Sequence, residues 1–436
     1  MEILKFWEDK ERIERILDRS NINLIDEEIK QKVEEIVSEV QKSGDGALLK
    51  YIELFDGVKL SSFEDLKVKP NELDEAYNLV NKEFLGSLEL AADNISNFHK
   101  HRSFDSWRCP YEDGVILGQC YRPIECAGIY IPGGRAPYVS TVLMTAIPAK
   151  VAGVKKIILC TPPNKDGQVN PYILVAAKLS KVDEVYKVGG AQAIAALAFG
   201  TLTIPKVDKI VGPGNIYVTL AKRIVFGYAS IDMVAGPTEV VIIADECGNP
   251  KFIAADLLSQ AEHDPLSLAI LITSSSDLAN FVIKEVESQS KALSHQEILK
   301  HSLKNLTVIL TKTLKEAINL SNQIAPEHLE LHIKDPWEIL EDIAHAGAIF
   351  IGEYSPESVG DYFAGPSHVL PTCKSARFFS PLGVEDFLKR SSIISYTKQA
   401  LTKWGKEIIN LANLEGFDAH ANAVKVRLNE EATNPA

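Results

Sequence analysis

Short apolar runs, rich in β-branched residues, alternate along this 436-residue sequence with longer stretches of helical periodicity. The apolar runs occupy residues 128–131, 156–160, 184–188, 209–211, 239–243, 268–272, 306–310 and 348–351. Helical stretches such as 277–286 separate them. Because strands that alternate with helices are joined by right-handed crossovers, the pattern predicts an α/β fold with parallel sheets.

The two ends of the chain have a helical pattern instead. Residues up to about Arg19 predict a short amphipathic helix, and a second helix is expected to begin after Asp26 and to end at 43–46. The apolar positions of the second helix are Ile29, Val33, Ile36 and Val40. From Val384 onward the charges are interleaved with apolar residues, which predicts a helical tail that packs on its own domain or on a partner subunit.

Length and charge limit the possible classes of protein. The chain is too long for a single hydrophobic core, and its two series of strands predict two α/β units of similar build, joined near residues 235–237. A net charge of −13 at pH 7 argues against binding to nucleic acid or to anionic membranes, because a phosphate surface requires a basic partner. Small molecules are the expected ligands.

The cysteines and the amino terminus indicate a compartment. Six cysteines without a C-x-x-C pair are typical of reduced thiols in the cytoplasm. The first ten residues carry charges of both signs and lack the apolar core of a signal peptide. No apolar run approaches the roughly 20 residues of a transmembrane helix. We therefore expect a soluble cytoplasmic protein.

Three glycine-rich segments follow predicted strands, at 131–136, 188–192 and 211–215. Ligands of parallel sheets bind at the carboxyl ends of the strands, where glycine lets the backbone approach them closely. None of the segments is the G-x-G-x-x-G fingerprint of a standard dinucleotide site, so each by itself could be a tight turn. Three in succession favour a ligand crevice.

Residues 259–265 end a predicted helix at Pro265. Gln260 and His263 are three residues apart, so they would share a helix face and could hold one metal ion. However, a histidine near a helix end commonly interacts with the helix dipole, and glutamine is an uncommon zinc ligand. A metal site and a helix end remain alternatives at this point.

The pattern of residues 325–333 is compatible with either a helix or a strand. On a helix, His328 and His332 would form an i,i+4 metal pair, but the apolar residues at 329, 331 and 333 favour a strand with His328, Glu330 and His332 on its other face. The adjacent Glu327 and His328 offer proton acceptors with ordinary pKa values of about 4.3 and 6.5, which suits a reaction with two proton transfers. The alternative is a solvated start of a strand.

Two later segments concentrate carboxylates and histidines. Residues 357–368 carry two carboxylates and a histidine in a loop after the predicted strand 348–351, and we expect this loop over the same crevice. Residues 415–420 place a carboxylate and a histidine in the helical tail. Either segment by itself is typical of a solvated surface.

Together these segments resemble the histidinol dehydrogenase family over nearly the whole chain. The most specific match is residues 231–239, Ile-Asp-Met-Val-Ala-Gly-Pro-Thr-Glu, with its continuation Ser-Gln-Ala-Glu-His at 259–263. The other segments that match, in the order of the family, are 131–134, 189–192, 212–215, 326–328, 365–368 and 415–420.

The resemblance implies an enzyme that uses NAD and one Zn²⁺ per subunit to oxidise L-histidinol through L-histidinaldehyde to L-histidine. The implied zinc ligands are Gln260, His263, Asp361 and His420, with His420 donated by the other subunit of a homodimer. The implied substrate residues are Thr238, Gln260, His263, Glu327, His328, Glu357, Asp361, His368, Glu415 and His420. The implied NAD residues are Tyr130, Gln192 and Asn215. His328 would be the general base of alcohol oxidation, and Glu327 would activate water for aldehyde oxidation.

The expected architecture is two Rossmann-like parallel-sheet units with helical extensions at both ends. The expected division is a helical extension at 1–25, a larger domain with the metal and substrate residues at 26–129 and 237–382, an NAD-side domain at 130–236, and a helical extension on the partner subunit at 383–436. Two departures from the family pattern stand out. Thr238 replaces the more common serine and keeps the hydroxyl, and Val139 replaces a usual proline.

Three rival interpretations remain open. A cysteine could carry the aldehyde as a thiohemiacetal, with Cys126 and Cys160 as candidates, although neither has a base or cation beside it in sequence. A zinc hydrolase could use Gln260, His263 and Asp361 with Glu327 as the base, but it would leave the glycine-rich segments unexplained. A non-catalytic binding module would leave the histidines and carboxylates unexplained.

Overall fold

The computed structural model describes residues 2–18, 27–101, 104–134 and 136–428. Its strands are β1 (Ile3–Lys5), β2 (Trp107–Pro110), β3 (Ile116–Pro123), β4 (Cys126–Tyr130), β5 (Lys156–Thr161), β6 (Glu184–Lys187), β7 (Lys209–Val211), β8 (Ser230–Ile231), β9 (Glu239–Ala244), β10 (Leu268–Thr273), β11 (Thr307–Leu310), β12 (His328–His332), β13 (Ala348–Ile351) and β14 (Leu388–Ser395). Its helices are α1 (Lys10–Leu17), α2 (Glu27–Ser43), α3 (Asp45–Asp56), α4 (Pro70–Leu79), α5 (Lys82–Lys100), α6 (Val139–Val151), α7 (Pro171–Leu179), α8 (Gly190–Phe199), α9 (Ile216–Val225), α10 (Pro250–Ala261), α11 (Ser276–Gln289), α12 (Gln296–Ser302), α13 (Leu314–Ile324), α14 (Glu357–Tyr362), α15 (Lys398–Leu414) and α16 (Asp418–Leu428). The predicted α/β fold is confirmed.

A five-stranded parallel sheet has the order β6-β5-β4-β7-β8. Successive residues of a strand point to opposite faces, so in β5 Ile158 and Cys160 pack with α2, α3, α8 and α9, while Ile157 and Leu159 pack with α4 to α7. Because helices cover both faces, the strand is apolar throughout rather than alternating.

A six-stranded parallel sheet has the order β1-β11-β10-β9-β12-β13. In β9, Val240 and Ile242 pack with α10, α11 and α12, whereas Val241 and Ile243 pack with α1 and α13. Both parallel sheets belong to one compact unit, called here the larger unit, which comprises residues up to 101 and 124–387.

The packing differs from the expected division at two places. Helices α2 to α5 lie on the five-stranded sheet, although residues 26–129 were grouped with 237–382. The amphipathic face of a helix shows that this face packs against another element, but it does not show against which sheet the helix packs. In the expected helical extension at 1–25, residues 3–5 form a strand beside β11, too short to show a period, before α1. Residues 19–25 lie outside the described residues.

A smaller unit comprises residues 102–123 and 388–436. Its described part contains an antiparallel sheet of order β14-β3-β2 and the paired helices α15 and α16. The prediction of a wholly helical tail is therefore wrong at β14, which pairs with β3 over eight residues. Most β14 side chains are exposed, so no apolar alternation marks the strand in the sequence. In the described part of the chain, no helix combines the length and apolar character needed to cross a membrane.

Candidate active site

Most of the titratable side chains of the expected site lie at one edge of the six-stranded sheet. This edge, where the parallel strands β9 and β12 begin, is called here the amino edge. Thr238 immediately precedes β9, Glu327 immediately precedes β12, and His328 is the first residue of β12, opposite Val240 of β9. Helix α10 runs back from the carboxyl edge and ends at Ala261, which brings the following turn to this amino edge. The site is therefore assembled from strand beginnings and returning helices.

The segment around His328 is a strand, so the strand prediction is confirmed and the helical metal pair is wrong. Leu329 and Leu331 enter the apolar core on one side, which leaves His328, Glu330 and His332 on the other. The alternative of a solvated strand start is also wrong, because Glu327 is 7% exposed and His328 is 3% exposed.

Glu327 is a buried carboxyl group with two donors. The Thr238 hydroxyl and the Glu239 backbone N–H, at 3.0 Å, both donate to its Oε2. Burial nevertheless raises the pKa of Glu327 well above its ordinary value, because loss of hydration outweighs the two hydrogen bonds. This carboxyl group therefore holds a proton more tightly than an ordinary glutamate.

His328 is fixed in one tautomer. Its Nδ1 lies 3.2 Å from the backbone oxygen of Glu239, and since a carbonyl only accepts, Nδ1 carries the proton. The buried Nε2 then bears a lone pair, and it has no hydrogen-bond partner among the described residues. Burial lowers the pKa of His328 to about 3, so the imidazole is neutral at pH 7. A neutral imidazole with a free Nε2 can act as a base.

A group of potential metal ligands lies beside this base. Donor atoms of His263, Glu357 and Asp361 all lie within 4.8 Å of one another. Burial raises the pKa of Asp361 to about 7, and burial with Asp361 nearby raises that of Glu357 well above its usual range. A divalent cation would relieve this crowding of carboxyl groups, and imidazole with carboxylate is a donor set that suits zinc. The residues present therefore fit a metal ion.

Gln260 adjoins the metal group through Glu357. In the orientation in which its amide oxygen accepts the Glu239 N–H at 3.0 Å, its amide nitrogen donates to both oxygens of Glu357, at 2.6 and 2.5 Å. His263 lies beyond the end of α10, so the two side chains do not share a helix face as expected. A turn, closed by the His263 N–H donating to the Gln260 carbonyl at 3.4 Å, brings them together instead.

His368 connects the two parallel sheets. Its Nδ1 donates to the Asp361 carbonyl at 2.9 Å, so its Nε2 accepts from the Thr141 hydroxyl at 3.2 Å. Burial lowers the pKa of His368 to about 4. Thr141 lies in the first turn of α6, which follows β4 at the carboxyl edge of the five-stranded sheet. Segment 357–368 thus lies next to the expected crevice at the carboxyl edge of the five-stranded sheet. The segment itself is at the amino edge of the six-stranded sheet.

The glycine-rich segments meet at that carboxyl edge. A Cβ on Gly133 or Gly189 would lie 2.3 or 2.6 Å from Pro162, and one on Gly212 would lie 2.1 Å from the Tyr130 carbonyl oxygen. Gly212 also has a φ of +115°, which favours glycine. Only glycine therefore allows these loops to pack so closely.

The three expected NAD residues lie at the same edge. Tyr130 ends β4, and its hydroxyl accepts the Gly190 N–H at 3.1 Å. Gln192, in the first turn of α8, is buried, with an Oε1 that has no partner among the described residues. Asn215 is the N-cap of α9 and accepts from the N–H groups of Tyr217 and Val218. Asn215 thus has a clear structural role, whereas the Gln192 carbonyl is free for a ligand.

Comparison with known proteins identifies the family. The sequence model of histidinol dehydrogenase matches residues 19–428. The chain belongs to the histidinol dehydrogenase family. The histidinol dehydrogenase of Bacillus cereus is 52% identical over 437 residues, covering 99% of this chain and 100% of that protein. The one from Clostridium acetobutylicum is 52% identical over 401 residues, covering 92% of each. The crystal structure of histidinol dehydrogenase from Elizabethkingia anophelis superposes with a TM-score of 0.89 at 41% identity, covering 93% of both chains.

Two residues that the histidinol dehydrogenase resemblance implicates lie in the smaller unit. Glu415 is the C-cap of α15, and His420 lies in the first turn of α16. Both side chains are exposed. The larger unit brings together the other expected metal and substrate residues.

The two candidate thiols, Cys126 and Cys160, do not suit covalent catalysis. Burial raises the pKa of Cys126 to about 11 and raises that of the fully buried Cys160 further still. A thiol so held remains protonated at neutral pH and is a poor nucleophile. The structure thus argues against the thiohemiacetal interpretation.

Several contacting residues were not foreseen from the sequence. Thr141, Glu239 and Asp256 had no expected role, and Glu330 and His332 were placed on the face of His328 without one. The alternation of apolar and polar residues along β12 was the signal that could have drawn attention to Glu330 and His332. Nothing in the sequence singled out Asp256. At Val139, the N–H that a proline would lack donates to the Pro137 carbonyl at 2.9 Å.

Proposed function

We propose that this protein catalyses the NAD-dependent, four-electron oxidation of L-histidinol through L-histidinaldehyde to L-histidine, the last steps of histidine biosynthesis. The observation that carries the proposal is the neutral His328, with a free Nε2, beside the buried Glu327 and the group of potential metal ligands. Membership of the histidinol dehydrogenase family supports the choice of substrate.

His328 serves as the base of the first oxidation. An alcohol must lose its hydroxyl proton as the hydride leaves the carbon, and Nε2 is the only ring nitrogen of His328 with a lone pair. The Nδ1 hydrogen bond to Glu239 keeps the imidazole oriented while it takes that proton. Glu357 Oε1 lies 3.9 Å from Nε2, beside the position at which the imidazolium forms.

Glu327 serves the second oxidation. The aldehyde is hydrated before its second hydride leaves, and the water must give up a proton in that addition. The raised pKa of Glu327 makes its carboxylate a stronger base for this proton than the carboxylate of an ordinary glutamate. Thr238 and the Glu239 N–H hold the Oε2 atom in place, which leaves Oε1 for water.

The proposed zinc ligands are Gln260, His263 and Asp361 with His420 of the partner subunit, in a homodimer with one zinc per subunit. When bound, zinc would supply an anchor for the imidazole and amino groups of the substrate, so that its contribution is orientation. Glu357, His368 and Glu415 would complete the substrate site. The exposure of His420 and Glu415 supports their use by a second subunit.

Tyr130, Gln192 and Asn215 are the proposed NAD residues. NAD supplies the hydride acceptor for each of the two oxidations. The close packing of the glycine loops gives a ligand direct access to backbone, and the buried Gln192 Oε1 offers an acceptor there. The Thr141–His368 contact brings this edge next to the proposed substrate site.

The deciding experiment is to count NADH per histidine formed. Purified protein is given limiting L-histidinol and excess NAD, before and after chelation, and again after zinc is restored. We expect two NADH per histidine, loss of turnover without metal, and recovery with zinc. If zinc-replete protein forms no NADH, the dehydrogenase proposal is wrong, and a zinc hydrolase that uses the same ligands with Glu327 as base becomes the better explanation.

The shared site is tested by mixing subunits. His263→Gln and His420→Gln homodimers should each be inactive. A mixed dimer should recover one intact site, with up to half of the wild-type activity per dimer. No recovery in a verified heterodimer would contradict the assignment of His420 to the partner's site.

A further inference from the structure

A second buried cluster lies on the same strand as His328. Glu330 and His332 follow His328 at intervals of two, so all three side chains share one face of β12. His332 Nε2 lies 3.3 Å from Glu330 Oε2 and 3.6 Å from Asp256 Oδ2. Asp256 belongs to α10. The cluster is therefore a carboxyl–imidazole–carboxyl network that joins the strand to the helix.

All members of this network are buried, and Glu330 is 0% exposed. Burial and the hydrogen-bonded Glu330 raise the pKa of Asp256 to about 8, so Asp256 keeps its proton at pH 7 and donates to Glu330. His332 donates through Nε2 to Glu330 Oε2 at 3.3 Å, because a carboxylate oxygen only accepts. The Glu330 carboxylate is thus held by two donors from its own network.

The remaining Glu330 oxygen reaches the proposed metal group. Glu330 Oε1 accepts the backbone N–H of Glu357 at 3.0 Å, at the first residue of α14. The N-cap residue of α14 is Pro356, whose side chain makes no capping hydrogen bond. A carboxylate from the neighbouring strand therefore satisfies a free N–H at this helix start, and its negative charge is favourable there.

The network connects the three elements that carry the proposed site. Helix α10 leads to Gln260 and His263, α14 carries Glu357 and Asp361, and β12 carries His328. We infer that Asp256, Glu330 and His332 are positioning residues that hold α14 against β12 and α10, and thereby set the affinity of the metal group and the orientation of Glu357. This inference rests on the proposed function for the identity of the metal.

The test uses a near-isosteric variant that removes the acceptor. Glu330→Met cannot accept the Glu357 N–H, whereas Glu330→Gln keeps an oxygen at that position and should rescue it. Asp45→Leu is the matched control, because Asp45 is also a buried carboxylate that accepts a backbone N–H, that of Thr203 at 3.0 Å, but it lies with the five-stranded sheet. Any loss of general stability should appear in both Glu330→Met and Asp45→Leu.

Two measurements are made on folded, full-length protein. Hydrogen exchange of peptides that span residues 355–363 reports on the start of α14, with or without metal. Competition with a chromophoric chelator gives the dissociation constant for zinc. For Glu330→Met we expect faster exchange in 355–363 and a 10- to 100-fold weaker zinc affinity, the range typical of residues that orient metal ligands. Glu330→Gln and Asp45→Leu should stay close to wild type in both.

The outcomes are distinguishable. Unchanged exchange in Glu330→Met, or faster exchange with unchanged zinc affinity, overturns the inference. A second zinc equivalent that Glu330→Met abolishes also overturns it, since the cluster would then be a metal site itself. If wild-type protein binds no zinc and forms no NADH, the proposed function fails. The exchange result still decides whether Glu330 holds α14 in that case.

Discussion

Two edges meet in the larger unit, and they are built in different ways. The carboxyl edge of the five-stranded sheet consists of glycine loops that pack directly on one another, whereas the amino edge of the six-stranded sheet carries buried titratable side chains. The contacts of Thr141 with His368, at 3.2 Å, and of Ser367 with the Met144 carbonyl, at 3.3 Å, join them. The fit of the backbone should therefore determine how substitutions act at the first edge, and the ionisation of buried groups should determine how they act at the second.

The largest expected effect comes from removing the base at the amino edge. His328→Asn should slow alcohol oxidation by ~10²- to 10⁴-fold, because it removes the Nε2 lone pair to which we assign the hydroxyl proton. Stopped-flow measurement of NADH with histidinol, and separately with the aldehyde, assigns the loss to a step. NAD affinity should not change, and full rates in both steps would show that His328 is not the base.

The carboxyl edge should respond to shape instead. Gly212→Ala would place a Cβ 2.1 Å from the Tyr130 carbonyl oxygen at a φ of +115°, so we expect a loss of about 2–3 kcal/mol in stability and weaker NAD binding. Gly227→Ala is the control, since its φ is +104° but nothing lies within 4 Å. Calorimetric unfolding and NAD titration measure both. Equal losses in the two variants would mean that the close approach has no special cost.

The free energy of unfolding should fall in acid wherever a histidine is buried in its neutral form. His99, on α5, tests this at a position away from the amino edge of the six-stranded sheet. Burial lowers the pKa of His99 to about 4. Between pH 6.5 and 4 the unfolded chain binds a proton that the folded chain does not, so stability falls as the pH drops, by about 2 kcal/mol at pH 5.

His99→Leu should remove that contribution. Urea unfolding of metal-free protein at pH 7 and pH 5 should show a smaller difference in the variant than in wild type, by about 2 kcal/mol. The exposed His301, changed to Gln, serves as the control. The same pH difference in His99→Leu and wild type would show that His99 is not buried in its neutral form.

The smallest effect concerns the hydroxyl at the amino edge. Thr238→Val removes a donor to Glu327 and should slow aldehyde oxidation about tenfold, whereas Thr238→Ser should stay within about twofold. Steady-state rates with the aldehyde measure this. A serine variant as slow as the valine variant would indicate that the methyl group, not the hydroxyl, is what matters.

Local patterns predicted much of the fold. The eight apolar runs all became parallel strands, and α2 buries Val33, Ile36 and Val40 as its period predicts. The errors share a cause: β1 is too short and β14 too exposed to show a period. Which sheet α2 to α5 pack against depends on contacts with distant parts of the chain, and these contacts cannot be read from the local pattern of each helix.

The site divides in the same way. The family, the three glycine-rich loops and the strand face of His328, Glu330 and His332 could be predicted from the sequence, because these features depend on residue type and on spacing along one segment. Three features could be seen only in the folded chain: α10, β12 and α14 converge, His328 keeps its proton on Nδ1, and Asp256 contacts Glu330. Burial and contacts between distant segments set these features, and neither exists before the chain folds.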